Sequence, residues 1–138
     1  MSRSVEALFA AARDAYANAY APYSNFAVGA AILTPEGEIY SGCNVENAAY
    51  PQGFCAEAGA IAAMALAGRR RVAAILVVGG GAGLCTPCGA CRQRIREFAA
   101  PDTPIHVAGP EGLRASFTLA ELLPQSFGPE NLSQKEPM

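Results

Sequence analysis

Three cysteines and one carboxylate are spaced in this chain for metal chemistry. Cys55 stands two residues before Glu57 in the stretch Pro51-Gln52-Gly53-Phe54-Cys55-Ala56-Glu57, and further along the chain reads Pro87-Cys88-Gly89-Ala90-Cys91. Thiolates are strong ligands for zinc. A structural zinc site closes its tetrahedron with four Cys or His side chains, whereas a catalytic one supplies three ligands and leaves the fourth position to water. Three sulfurs accompanied by an acid match the open kind. Cys88 and Cys91, three residues apart, share one face of the first turn of a helix, and Cys55 opens another helix. Helix N-termini carry partial positive charge, which favours the thiolate that zinc binds.

The elements that must position these side chains follow from the changing hydrophobic period. Residues 5–20 are Ala-rich, with Val5, Leu8, Phe9, Ala12 and Tyr16 at helical spacing, and Pro22 ends the run. Residues 26–33 read as an apolar strand, Pro35-Glu36-Gly37 as a turn and residues 39–45 as the antiparallel partner. Residues 55–66 form an Ala-rich helix closed by Gly68, and residues 72–78 are a continuous apolar run suited to a strand covered on both faces. A helix over 89–98, a strand over 104–108 and a short helix over 118–123 complete the pattern. This order predicts an α/β fold, a three-layer α-β-α arrangement on a mixed sheet of about five strands. A chain of 138 residues, 51% of them apolar, is expected to make a single domain over 1–138, with only the tail after Leu132 weakly ordered.

Composition narrows the function further. A net charge of −2 does not supply the excess of Lys and Arg that a nucleic-acid groove requires. Arg69, Arg70 and Arg71 follow Gly68 and read as a solvated helix C-terminus. Neither an apolar secretory core near the N-terminus nor a membrane-length segment is found, so a cytoplasmic location without membrane attachment is expected. Five cysteines, an odd count, favour thiol or metal chemistry over a disulfide framework. Cys43 reads as a packed thiol, Cys85 as a partly exposed loop residue, and His106, the one histidine, as a structural residue in a strand. Gly79, Gly80, Gly81 and Gly83 lack a following Gly-Lys-Ser/Thr and read as a flexible connector, not a phosphate loop.

Four motifs in order, Tyr23-Ser24-Asn25-Phe26-Ala27-Val28-Gly29-Ala30, Gly42-Cys43-Asn44-Val45-Glu46-Asn47-Ala48, Cys55-Ala56-Glu57 and Pro87-Cys88-Gly89-Ala90-Cys91-Arg92-Gln93, closely resemble the small homotetrameric cytidine deaminases of pyrimidine salvage. The resemblance covers residues 8–132. It implies hydrolytic deamination of cytidine or deoxycytidine to the uridine product and ammonia, with one Zn2+ per chain held by Cys55, Cys88 and Cys91. Zinc deaminases of this type pair three such ligands with a Glu that does not bind the metal. That role falls to Glu57, which would take a proton from water, deliver it to ring N3 and help protonate the departing amine. By the same resemblance Asn44 and Glu46 contact the ribose, Phe26 packs on base or sugar, and the carbonyl of Ala56 accepts from the exocyclic amine. Tyr50 and Phe127 match aromatics donated into a neighbouring subunit's pocket, so the resemblance implies a homo-oligomer, a tetramer with shared active sites, acting on a small nucleoside.

One position departs from the family. An Arg that usually follows the catalytic Glu, and donates to the zinc-bound sulfurs, is replaced here by Ala58. The two helix N-termini, or donors such as Gln93 or Arg92, are the expected substitutes. Ala at this place also resembles blasticidin S deaminase, an alternative substrate within the same chemistry, although the sugar motifs here favour cytidine. Two further readings come from other classes. Cys85, Cys88 and Cys91 are spaced like an iron–sulfur run, but the fourth position holds Ile95. A purely structural zinc would need a fourth ligand from Cys43, Cys85 or His106.

Overall fold

Ser2 starts the first helix, its hydroxyl accepting from the Val5 N–H at 3.3 Å, which satisfies one of the free amides of the first turn. The computed structural model describes residues 2–133. Helix α1 (Arg3–Ala17) leads into strands β1 (Val28–Leu33) and β2 (Ile39–Cys43), followed by a single 3-10 turn over Tyr50–Gln52. Helix α2 (Ala56–Leu66), strand β3 (Ala74–Gly79), helix α3 (Gly89–Arg96) and strands β4 (Pro104–Gly109) and β5 (Gly112–Thr118) come next. Two short helices, α4 (Leu119–Leu122) and α5 (Pro129–Ser133), end the described chain.

The five strands form one sheet in the order β2-β1-β3-β4-β5, parallel only between β3 and β4 and antiparallel elsewhere. Strand β3, buried along its whole length, is the centre of the molecule. Side chains alternate between the two faces. Ala31, Leu76, Val78 and Ala108 meet Leu8, Phe9 and Ala12 of α1 on one side. On the other, Ile32, Ile75, Val77 and Ile105 meet Ala60 and Met64 of α2 together with Ile95 of α3 and Leu119 of α4. This is the mixed, five-stranded, three-layer α/β arrangement expected. Among the described residues no helix is long and apolar enough to cross a membrane.

Several boundaries differ from the expected ones, each through a tertiary contact. The first helix stops at Ala17, short of residue 20, because Tyr20 is drawn into a bridge with Val45: its N–H donates to the Asn44 carbonyl at 3.0 Å and its carbonyl accepts from the Glu46 N–H at 2.8 Å. Strand β1 begins at Val28 and not at Phe26, since residues 23–26 form a turn bound to Glu46. Strand β5, which the hydrophobic period does not single out, is the fifth strand of the sheet. Thr118, expected as the first helical residue, is the N-cap of α4, with Glu121 completing a reciprocal capping box. The glycine run is not a free connector: the Arg114 guanidinium donates to the carbonyls of Gly81 at 2.8 Å and Gly83 at 2.7 Å. At the end of α2, Gly68 adopts φ +86°, the left-handed conformation that stops a helix, and Arg69 then pairs with Glu38 next to β2. The weakly ordered tail expected after Leu132 lies outside the described residues, apart from Ser133 in α5.

Helix α2, which carries Cys55 and Glu57, lies unusually close to the sheet. A Cβ at Gly42 of β2 would come within 2.4 Å of the Ala60 N and 2.7 Å of the Ala56 O, so only glycine allows this approach. Gly42→Ala is therefore expected to destabilise the fold by about 1–3 kcal/mol through overpacking, read as a lowered denaturation midpoint. Gly83→Ala, where a Cβ meets nothing within 4 Å, is the control and should stay within about 0.5 kcal/mol of the parent chain.

Candidate metal centre and active site

Cys55 is the N-cap of α2 and Cys88 the N-cap of α3, both with extended backbone, while Cys91 lies in the first turn of α3. Two helix N-termini thus converge on one point. The three sulfurs lie within 4.8 Å of one another, the one group of potential metal ligands found among the described residues. Four ligands at about 2.3 Å from zinc in a tetrahedron stand about 3.8 Å apart, so a small adjustment of these sulfurs around the ion suffices. Cys91 is fully buried, Cys55 half-buried and Cys88 exposed. The donor set, three soft sulfurs with one open side, fits zinc.

Electrostatics separate the three thiols. Burial pushes Cys55 and Cys91 up, and the neighbouring Glu57 charge adds to the effect on both. At Cys88 burial also opposes ionisation, but the amides of Cys91 and Ala90 at the start of α3 and the two other thiols outweigh it and hold the group below the usual thiol value. Glu57, in the first turn of α2 and only 4% exposed, is raised above the ordinary carboxylate range by burial; the positive charge of Arg94 partly reverses the shift.

A cavity of about 320 Å³ opens beside the sulfurs, a size in the range of small-molecule sites. Asn44 and Glu46 line one side, Ala56, Glu57 and Cys88 the end next to the metal ligands, and Phe54, Cys85 and Thr86 other parts of the wall. The zinc-binding region of cytidine and deoxycytidylate deaminases, as a family model, matches residues 2–107. The chain belongs to that family. A cytidine deaminase of Sporosarcina psychrophila is 44% identical over 129 residues, covering 94% of this chain and 95% of the relative. One of Mycobacterium tuberculosis is 39% identical, covering 90% of each. The solved structure of a cytidine deaminase from Burkholderia pseudomallei superposes with a TM-score of 0.83 at 43% identity, covering 92% of this chain and 100% of that one.

Within this deaminase fold, the polar residues singled out from sequence are held by backbone bonds. Asn44 Oδ1 accepts from the Val28 N–H and its Nδ2 donates to the Phe26 carbonyl, both at 2.9 Å. Glu46 accepts from the N–H groups of Tyr23 at 2.9 Å and Ser24 at 3.1 Å and from the Ser24 hydroxyl, which holds its carboxyl below the usual range. Both side chains tie residues 23–28 to the segment after β2. The aromatics stand apart. Phe26, 42% exposed, packs near Gly79 and Gly81 outside the cavity lining. Tyr50, 76% exposed, lines an adjoining depression of about 350 Å³ with Tyr23, Ser24 and Glu46. Phe127 is 56% exposed on the C-terminal segment.

The residues offered as further zinc ligands are engaged elsewhere. The Cys43 thiol donates to the Asn18 carbonyl at 3.8 Å, and His106 Nδ1 is 2.7 Å from the Ser116 hydroxyl. Cys85 lines the cavity but packs into the notch left by Gly79, where a Cβ would approach its sulfur to 2.5 Å, and burial raises its thiol to about 11. Cys85 is not one of the three clustered sulfurs, so the iron–sulfur spacing is not realised as a ligand set.

Of the expected substitutes for the missing arginine, the two helix N-termini are in place, whereas the side-chain donors are corrected by the structure. Arg92 donates to the carbonyls of Pro87 at 2.6 Å and Leu122 at 2.8 Å and to the Thr86 hydroxyl at 3.3 Å, and Gln93 donates to the Phe127 carbonyl at 2.8 Å. Neither reaches a sulfur. The donor is Arg94, whose Nη1 lies 3.4 Å from Cys91 Sγ. A residue three positions along a helix faces the same side, so the spacing Cys91 to Arg94 was the available signal.

Helix α3 also grips the C-terminal segment. Arg96 donates to the Ser126 hydroxyl at 2.9 Å, forms an ion pair with Glu130, and fills the space where Gly128 lacks a side chain. Arg96→Ala is expected to leave global melting nearly unchanged, because Glu130 is exposed and such pairs contribute about 0–1 kcal/mol. Limited proteolysis should nevertheless cut residues 123–131 faster than in the parent chain.

Proposed function

We propose that this chain hydrolyses the exocyclic amine of cytidine, deoxycytidine or both, releasing the uridine product and ammonia. The observation that carries this assignment is the buried Glu57 carboxyl, two residues beyond one of three zinc-fitting sulfurs and facing the same cavity. The chemistry that zinc supplies when bound is the acidification of water, from a pKa of about 15.7 to about 7, which makes a nucleophile available near neutral pH.

The remaining work falls to side chains and backbone. Glu57 takes the first proton of the attacking water and passes it to ring N3 as the oxygen bonds to C4. It then takes the second proton from the new C4 hydroxyl and gives it to the amine, which leaves as ammonia while the C4 carbonyl forms. Burial suits it to this double role, because a carboxyl in a water-poor pocket holds its proton more readily than one in solvent. The Ala56 carbonyl accepts from the exocyclic amine. Asn44 and Glu46 face the ribose: after the bonds described, Asn44 keeps one N–H and Glu46 keeps one lone pair on Oε2, enough to meet two sugar hydroxyls. Phe26, outside the cavity lining of the chain alone, is assigned by family resemblance to pack against base or sugar. The cytidine deaminase relatives favour cytidine over blasticidin S as the substrate class.

The exposed Tyr50 and Phe127 are assigned to the pocket of a neighbouring copy, in a homotetramer whose active sites are shared. Residues 1–138 make up a single domain acting in pyrimidine salvage in the cytoplasm, with no nucleic-acid or membrane partner.

The direct assay is the loss of cytidine's ultraviolet absorbance on adding purified protein, which chelation should abolish and added zinc restore; no loss with the zinc-loaded protein would refute the assignment. Glu57→Gln should lower kcat by about 10²–10⁴-fold while zinc content and melting temperature stay at parental values. A dilution series followed by light scattering should show specific activity falling as the assembly dissociates, and a fully active monomer would rule out shared sites.

A further inference from the structure

The sulfur cluster needs a counter-cation. A dication held by three thiolates carries one net negative charge, and the Glu57 carboxylate beside it adds a second. Burying such charge without compensation is costly. Two helix N-termini contribute partial positive charge, but the arginines around the cluster are nearly all committed elsewhere: Arg92 to Pro87, Thr86 and Leu122, Arg96 to Ser126 and Glu130, Arg114 to Glu111, Gly81 and Gly83. Arg94 differs. Its guanidinium lies on the sulfur of the fully buried Cys91 at 3.4 Å and forms no ion pair with a carboxylate among the described residues.

We infer that Arg94 is the positioning residue of the metal centre, its N–H fixing the Cys91 sulfur and its charge offsetting the loaded cluster, so that zinc retention depends on it. The inference rests on the zinc chemistry proposed above. It has a structural origin in the helix itself, since a long side chain in α3 leans back toward the N-terminus and over the turn that carries the ligands. The same charge acts on Glu57 and on the sulfurs of Cys55 and Cys88. An arginine serving only the dipole at the end of α3 would affect none of these groups.

The test is chelator competition on the full-length, zinc-loaded protein, read with a coloured zinc indicator, for the parent chain, Arg94→Gln and Arg94→Lys. Partners of metal ligands typically contribute 10–100-fold to metal affinity. Arg94→Gln should therefore release zinc at least about tenfold more readily, with Arg94→Lys in between because it keeps the charge and loses the planar fork. The gap should narrow near 1 M salt, where screening acts within about 3 Å, while metal-free melting stays unchanged. Equal retention in a folded Arg94→Gln protein overturns the inference, as does a loss of retention matched by a lower metal-free melting temperature. If Arg94→Gln does not fold, Arg94→Lys decides through the cobalt(II)-substituted protein: a sulfur-to-metal absorption band at the parental position, with parental retention, overturns it. A parent chain that takes up no zinc would remove the proposed function as well, whereas a zinc-retaining, active parent with an indifferent Arg94→Gln removes only this inference.

Discussion

Two helices must begin at the same point in space. The sulfurs of Cys55, Cys88 and Cys91 meet only because the N-termini of α2 and α3 are brought together on one face of the sheet. Helix α2 owes its place to Gly42, where backbone packs on backbone. Helix α3 is the crossover between the parallel strands β3 and β4, which sets it beside α2 on the same face. The turn that delivers Cys55 is fixed as well, by the paired bonds between Val45 and Phe54 at 3.1 and 3.0 Å. Val45 lies between Asn44 and Glu46, so one short ladder sets both the first sulfur and the polar side of the cavity.

This convergence concentrates groups that would rather not be charged in a dry place. Burial raises Glu57, Cys55 and Cys91 together, and the negative charge of Glu57 raises both thiols further. In the chain alone these groups therefore hold their protons more firmly than they would in water; a cation set among them acts in the opposite direction, which couples metal binding to proton release. The two helix N-termini and Arg94 act in the same direction as that cation. The cluster is organised around positive charge from backbone, side chain and ion at once.

Much of this was legible in the sequence, and the gaps have physical causes. Cysteines at positions 55, 88 and 91 announce the cluster because ligand spacing is local and helix starts carry clear signals. Strand β5 is hard to read because it is an edge strand with no buried residue, so its alternation of Leu113, Ala115 and Phe117 is not reinforced by an apolar run. The early end of α1 could not be read because Tyr20 leaves the helix to pair with a residue twenty-five positions away. Arg94 does not stand out in the sequence because an arginine in the last turn of a helix already has a sufficient explanation in the dipole, and only the folded structure places its guanidinium on a sulfur. Arg92 and Gln93, nearer to Cys91 in sequence, point to other sides of the helix.

Helix α3 shows why the cluster and the C-terminal segment belong to one mechanical unit. Eight residues are too few for a helix to be stable on its own in water. Ile95 buries its side chain completely against the core, and Arg92, Gln93 and Arg96 reach out to residues 122–130. Arg92 does a second task, tying the same guanidinium to Pro87 and Thr86, the residues just ahead of Cys88. The backbone that presents two sulfurs is thus braced from the far side by a segment distant in sequence. The rigidity that a metal site requires of its ligands is supplied here by contacts outside it, and Phe127 sits on the bracing segment.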